Sequence, residues 1–328
     1  MARIFAYIVH KAGVVDDTAA QLAAAATKID PTALPTAIVT GCSVDVDAVC
    51  SSLRASYAEI WEVSRDVLAY PNAELVRQAL VKVLPPGSIL LIAHEHFGID
   101  LAPGLSIKLN STFASDVVDI TGVEGNCLNI VRQEFGGQVS AHVRCDISAG
   151  AVITVRPGAF KAPDTAPVAG TVADHSSEVG VLTAGRRYLG TIVAEAGDVD
   201  ITKHNVLVSI GRGIQEKDNV ALAEELAEAL GAAVSCSRPV VDAKWMAKSR
   251  QVGSSGKTVK PKVYLACGIS GAFQHLAGIK GAPFLIAINK NSRAPIFQVA
   301  DVGIVDDILE FLPQLANKVR EMRSVAAK

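Results

Sequence analysis

The sequence predicts an α/β protein of two domains, each a mostly parallel sheet flanked by helices. Three observations predict it. The chain has 328 residues, more than one typical core accommodates. Its first part alternates short apolar runs with amphipathic or alanine-rich stretches. After Lys203 a second, cleaner strand–helix rhythm begins.

In the first domain, strands are predicted at residues 4–9, 37–40, 59–63 and 89–94, with helices at 18–27 and 73–83. From residue 117 four strands follow in sequence, at 117–120, 127–132, 139–144 and 151–156. They read as antiparallel extensions of the sheet. Residues 161–185, rich in proline, alanine, serine and aspartate, read as a long loop. Residues 188–194 read as a strand returning to the first domain. The boundary is expected within 195–203, dividing the chain into 1–198 and 199–328.

In the second domain a strand at 205–210 ends in Gly211, Arg212 and Gly213. Asp218 is expected to cap a helix running to Leu230, with Val220, Ala223, Leu226 and Leu230 on one face. Further strands begin at Val234 and cover 263–267 and 284–289. Doubly wound sheets bind ligands at the carboxyl ends of their strands. Arg212, Ser237 with Arg238, residues 268–275 and Asn289 fall at four such ends.

Gly268, Ile269, Ser270, Gly271 and Ala272 follow an apolar strand and open a predicted helix running to Gly278. Glycine lets backbone approach a ligand, and free amides at a helix start attract anions. With the Ser270 hydroxyl and the Arg212 charge, the set suits a pyrophosphate. Taken alone, the glycine pattern reads as a plain strand-to-helix turn. The stretch 250–261, with Gln251, Gly253, Ser254, Ser255, Gly256 and Lys257, has a surface loop's composition but lies where it can reach the same edge. Asn289 and Asp301 follow apolar strands and suit a ribose or an adenine edge, or else cap turns. His275 has the setting of a structural hydrogen-bonding residue, and Arg238 that of a surface ion-pair partner.

The formal net charge of -2, with no basic domain, argues against nucleic acid as a partner. No apolar stretch approaches the ~18 residues of a membrane span. The N-terminal apolar run is short and broken by Arg3, so it reads as a buried strand rather than a secretion signal. The six cysteines form no close pair and are expected to be reduced and buried, which makes the chain cytoplasmic. His94, Glu95 and His96 would put two histidines on one face of a strand; without a third ligand this is a strand-end loop rather than a metal centre. No nucleophile elbow, Walker motif or paired carboxylates are present, and the first strand lacks the dinucleotide glycine fingerprint.

Residues 268–280, GISGAFQHLAGIK, followed by AINKNSRAPIFQVADVGIVDD, closely resemble the signature of electron-transfer flavoprotein alpha subunits, the large subunits of that family. The stretches SIGRGI, SRPVVDAKW and QVGSSGKTVKP resemble the same family in the same order, so that four motifs stand in register across 205–312. The first domain matches more loosely, through HFGIDLAPGLSIKLNSTFASDVVDI, where Gly104 replaces an arginine found in many relatives.

The resemblance implies a doubly wound, Rossmann-like second domain that binds FAD. It also implies a heterodimer with a beta subunit that the first domain contacts and that carries AMP or a second FAD. The implied role is an electron carrier rather than an enzyme with its own small substrate. Its implied partners are an acyl-CoA dehydrogenase-type donor or acceptor and a membrane quinone reductase, with electron bifurcation as a variant. Arg212, Ser237 and Ser270 match positions around the FAD phosphates and ribityl arm. Val252, Gly253, Ser254 and Ser255 match the loop over the isoalloxazine ring, and Arg238 the arginine above it. Ser270, Gly271, Ala272, Phe273, Gln274 and His275 match the helix-start segment, with His275 expected to donate toward the ring's pyrimidine side. Asn289, Asp301 and Val302 match the adenosine end. The competing class is an NAD-dependent oxidoreductase; it would need acid–base residues near the nicotinamide, and the sequence shows no such constellation.

Overall fold

The structure, a computed structural model, describes residues 3–70, 72–161, 169–190, 199–281 and 283–326. Its contacts divide the chain into two compact units, Met1–Gly190 and Thr191–Lys328. Much of the expected boundary and the end of the expected 188–194 strand fall in residues 191–198, outside the described residues; 188–190 are not in a strand.

The first unit runs β1 (Ile4–Ile8), a small hairpin of β2 (His10–Lys11) and β3 (Val14–Val15), α1 (Thr18–Ile29), β4 (Thr36–Gly41), α2 (Ser43–Leu53), β5 (Glu59–Ser64), α3 (Ala73–Val83), β6 (Ile89–Ala93), α4 (His96–Lys108), β7 (Thr112–Glu124), β8 (Cys127–Glu134), β9 (Val139–Asp146), β10 (Ala151–Val155) and β11 (Thr171–Asp174). Nine strands form one sheet in the order β11-β5-β4-β1-β6-β10-β7-β8-β9. Only the β7–β8 and β8–β9 pairs are antiparallel. The expectation of four antiparallel extensions is corrected at β10, which lies parallel between β6 and β7. All five of its residues are buried. Such an unbroken apolar run marks a strand covered on both faces. A second correction is β11, an edge strand within the stretch expected to be loop.

His94 and His96 do not share a strand face. His94 follows β6, Glu95 stands just before α4 without capping it through its side chain, and His96 is the helix's first residue. Among the described residues, no group of three potential ligands could hold a metal. All six cysteines are free; Cys42 and Cys127 are partly exposed rather than buried. At Gly104 the Arg77 guanidinium covers α4 so closely that a Cβ would lie 2.6 Å from its Cζ.

One face of α3 carries Glu74, Gln78 and Lys82, one turn apart. These side chains hold the chain that follows β11. Lys82 donates to the carbonyls of Val179 and Val181. Gln78 donates to Thr183 O and accepts from its amide at 3.2 Å. Glu74 accepts from the Gly185 amide at 2.7 Å and from Arg186 Nε at 2.9 Å. An irregular segment thereby has its backbone groups satisfied by helix side chains.

The second unit runs β12 (Val206–Ile210), α5 (Val220–Leu230), β13 (Ala233–Cys236), α6 (Arg238–Asp242), β14 (Val263–Cys267), α7 (Phe273–Leu276), β15 (Phe284–Ile288), β16 (Val302–Ile304) and α8 (Ile308–Ala326). All five strands are parallel, in the order β13-β12-β14-β15-β16. One face packs Val208, Ile210, Leu265 and Cys267 against α5 and α8. The other carries Leu207, Tyr264, Ala266 and Ala287, covered by Val252, Val259, Ile269 and Ile296 from loops rather than by a long helix. Asp218 does not cap α5. Asn219 holds that position without a side-chain cap; its side-chain amide donates instead to Ile214 O at 2.9 Å. Gly231, left-handed at φ 63°, ends the helix.

The α3 ladder makes a prediction. Replacing both Gln78 and Lys82 by alanine removes contacts worth about 1 kcal/mol per residue, so cleavage by trypsin after Arg186 should accelerate roughly thirtyfold. Limited proteolysis read by mass spectrometry checks it; an unchanged rate would show that the ladder does not hold the segment.

Candidate functional site at the carboxyl edge of the second sheet

Strand order reverses direction between β12 and β14, where one connection leaves toward β13 and the other toward β15. That point is where an open parallel sheet admits a ligand. Here the two strand-end turns cross in backbone contact. The Gly211 amide donates to Cys267 O at 2.9 Å and the Gly213 amide to Gly268 O at 3.1 Å. A Cβ on Gly211 would lie 2.2 Å from Gly268 O, so no side chain fits there.

Above the crossing opens a cavity of about 350 Å³. Four segments line it: Arg212 after β12; Ser237, Arg238 and Pro239 after β13; Gln251 to Ser255; and Gly268 to Ser270 with Ala272, Gln274 and His275 after β14. No carboxylate is among these residues. Two guanidinium groups, three serine hydroxyls besides Ser270 and no acidic side chain make this a site for an anionic, hydrogen-bonding ligand.

The loop 251–257 is not the loose surface loop its composition suggests. Gln251 and Val252 are buried. The Val252 amide donates to Cys236 O at 2.9 Å, and the Ser254 amide to Gln274 O at 2.7 Å. Gln251 Nε2 donates to Ser255 Oγ at 2.8 Å. The loop is thus pinned to β13 on one side and α7 on the other.

His275 completes the pinning. Its Nδ1 lies 3.1 Å from Val252 O and its Nε2 2.9 Å from Tyr264 Oη. Burial pushes its pKa down to about 4, against a smaller opposing effect of the Val252 carbonyl. The ring is therefore neutral at pH 7. A carbonyl only accepts, so Nδ1 carries the hydrogen and Tyr264 donates to Nε2. Both nitrogens face protein atoms, which corrects the expectation of a histidine donating directly into the site. Arg238 begins α6; its side chain is 69% exposed and lies 3.4 Å from the Asp242 carboxylate.

The remaining expected residues are placed as follows. Gly271 and Phe273 do not line the cavity. Gly271, at φ +88°, lets the chain pass Ile296, and Phe273 is partly exposed. Asn289 stands at the carboxyl end of β15, donating to Ile269 O at 2.9 Å. Asp301 and Val302 are not brought to this edge. Asp301 precedes β16, and its Oδ2 accepts from the Leu285 amide near the amino end of β15 at 2.7 Å. The carboxylate that does reach the carboxyl edge is Asp307, six residues later. It caps α8 by accepting from the Leu309 amide at 3.0 Å, and it pairs with Lys290 at 2.5 Å, which lowers its pKa. A sequence signal for it existed: an aspartate just before an amphipathic run is a helix start. Tyr264 gave no such signal, because a tyrosine in an apolar strand looks like core.

Gly271→Ala should destabilise the protein. Its Cβ would meet Ile296 N at 2.3 Å, and the backbone is left-handed. A loss on the order of 2–4 kcal/mol is expected in chemical denaturation, and a change under about 0.5 kcal/mol would contradict this packing.

Comparison with known proteins bears on this geometry. Residues 200–280 match the electron transfer flavoprotein FAD-binding domain, and residues 4–184 the electron transfer flavoprotein domain. The chain is 39% identical to the electron transfer flavoprotein subunit alpha of Clostridium acetobutylicum, over 71% of this chain and 70% of that protein. It is 36% identical to the same subunit of Thermoanaerobacterium thermosaccharolyticum, over 72% of each. It is 33% identical to the LctC subunit of the NAD(+),ferredoxin lactate dehydrogenase of Acetobacterium woodii, over 76% of this chain and 59% of that one.

Proposed function

This chain belongs to the electron transfer flavoprotein alpha-subunit family and carries its FAD-binding domain, and on that premise we propose that the carboxyl-edge cavity of the second unit is where FAD is held. The observation that carries this reading is the lining: two arginines, clustered hydroxyls and no carboxylate at the switch point of the sheet. Bound FAD supplies the redox chemistry, taking up and releasing electrons singly or in pairs. The chain's own residues bind it and set its electrostatic surroundings.

Arg212 and Ser270, at the ends of the crossing strands, suit the pyrophosphate. The loop Val252 to Ser255, pinned by His275 and Gln274, suits one side of the isoalloxazine, with Ser237 and Arg238 across the cavity. Asn289 marks the adenosine end. Asp307 replaces Asp301 and Val302 there, because it stands at the carboxyl edge and they do not. The rival NAD-dependent dehydrogenase is not supported. The cavity's one imidazole is neutral and committed to the protein on both sides, and no carboxylate lines the wall to form an acid–base pair.

Alpha subunits of this family work with a beta subunit, and we assign the contact to the first unit. The proposed exchange partners are an acyl-CoA dehydrogenase-type protein and a membrane quinone reductase, and the proposed compartment is the cytoplasm. No helix among the described residues is long and apolar enough to cross a membrane. Purified with its beta subunit, the chain should carry one FAD. AMP in the partner marks a simple carrier, and a second FAD a bifurcating one. A colourless pair without extractable FAD would overturn the reading.

Arg238→Ala should lower the one-electron reduction potential of the bound FAD, and Asp242→Asn, which frees Arg238, should raise it. Arg238 is mostly exposed and ion-paired, so each change is worth less than about 1 kcal/mol. Spectroelectrochemistry checks both; equal potentials in wild type and the two variants would show that Arg238 does not act on the ring.

A further inference from the structure

Beneath the cavity lies a buried polar group of residues that the binding site does not explain. Tyr264, Ser209 and Ser235 are each 0% exposed. They share the face of the sheet that also carries Leu207 and Ala233: Ser209 and Ser235 are direct cross-strand partners, and Tyr264 lies on the neighbouring strand opposite Leu207. The Tyr264 hydroxyl meets His275 Nε2 at 2.9 Å. The two serine hydroxyls lie close enough to act on the ionisation of the phenol, yet neither has a hydrogen-bond partner among the described residues. An orphaned buried hydroxyl costs about 1–3 kcal/mol, and such groups call for an explanation.

We propose that Tyr264, Ser209 and Ser235 form a hydroxyl relay that lets His275 take up one proton when negative charge enters the cavity. The inference rests on the FAD reading above, since reduction by the partner protein is what would deliver that charge. In the resting arrangement Tyr264 donates to Nε2, and Nδ1 donates to Val252 O. After protonation Nε2 donates to the Tyr264 oxygen, Nδ1 keeps its bond to Val252, and the Tyr264 hydrogen turns to Ser209 or Ser235. One proton from solvent is gained at Nε2. Only a serine hydroxyl has to turn toward the Tyr264 oxygen to accept its hydrogen, and the loop over the cavity stays latched in both states.

Magnitudes make the step reachable. His275 at rest titrates at about 4. An anion within ~4–6 Å raises the proton affinity of such a group by roughly ten- to a thousandfold. The charged and titratable groups facing this corner are Arg212 and Arg238 across the cavity, Cys236 and Cys267 on the strands beside Tyr264, and Arg250 near Cys236. The thiols stay neutral, since burial pushes both up to about 12. Burial is what holds the imidazole neutral at rest, so the relay responds once the entering charge outweighs that desolvation. The sign follows: protonated His275 favours the anion, so the reduction potential should rise as pH falls between the reduced-state and resting titrations of His275, and be flat in His275 outside that window.

The test is a nitrogen-15 NMR titration of His275 in the full chain paired with its beta subunit, flavin-free, FAD-loaded and dithionite-reduced. At rest the Nδ1–H tautomer is expected. On reduction the titration should move up by tenfold or more in proton affinity. Ser209→Ala with Ser235→Ala should cut the reduced-state affinity about tenfold while leaving the resting tautomer unchanged. A resting Nε2–H tautomer, or a histidine that stays neutral on reduction down to pH 5, would overturn the relay, as would a serine pair whose loss has no effect. If the serine variant does not fold, the wild-type tautomer and its reduction response decide alone. A pair of this chain and its beta subunit that retains no FAD refutes the functional reading instead, and the flavin-free tautomer still reports on the relay.

Discussion

The second unit depends on one constraint: two strand-end turns must cross in backbone contact at the switch point of a parallel sheet. The hydrogen bonds from Gly211 to Cys267 and from Gly213 to Gly268 hold this crossing, and the absence of side chains at both glycines permits it. Everything that lines the cavity is positioned from there. Arg212 is placed by the first turn, Ser270 and the α7 segment by the second. The loop 251–257 can be fastened only because α7 starts where it does, so that Gln274 and His275 meet its backbone.

Much of this was legible in the sequence. Parallel strands show as unbroken apolar runs, and their ends show as glycine and polar residues, so the four strand ends carrying Arg212, Ser237, Ser270 and Asn289 could be read directly. Family motifs added the loop residues that composition alone assigns to a solvated surface. What failed did so for physical reasons. β10 has a buried run that β8 and β9 lack, but it follows them directly in the chain, and only long-range pairing carries it back between β6 and β7. Asp301 and Asp307 lie six residues apart, and the three-residue strand β16 between them sends them to opposite edges of the sheet. So short a strand has too little periodicity to be recognised.

Electrostatics then separates what the cavity residues contribute. Arg212 and Arg238 are permanent charges, one at a tight turn and one exposed beside Asp242. His275 is neutral at rest, because burial outweighs its hydrogen bonds. A buried polar layer on one face of an otherwise apolar sheet is costly unless each state of it is satisfied. Tyr264 is the element that can satisfy two states, since its hydroxyl both donates and accepts.

The most direct test of the account is hydrogen–deuterium exchange of the full chain with its beta subunit, with and without FAD. The account predicts protection confined to the second unit, at residues 212–214, 252–257, 268–276 and 289–291 and at the start of α8 near Asp307, with none at 301–303. Protection instead at the strand ends of the first unit, around 10–12 and 94–97, would contradict the placement of the flavin.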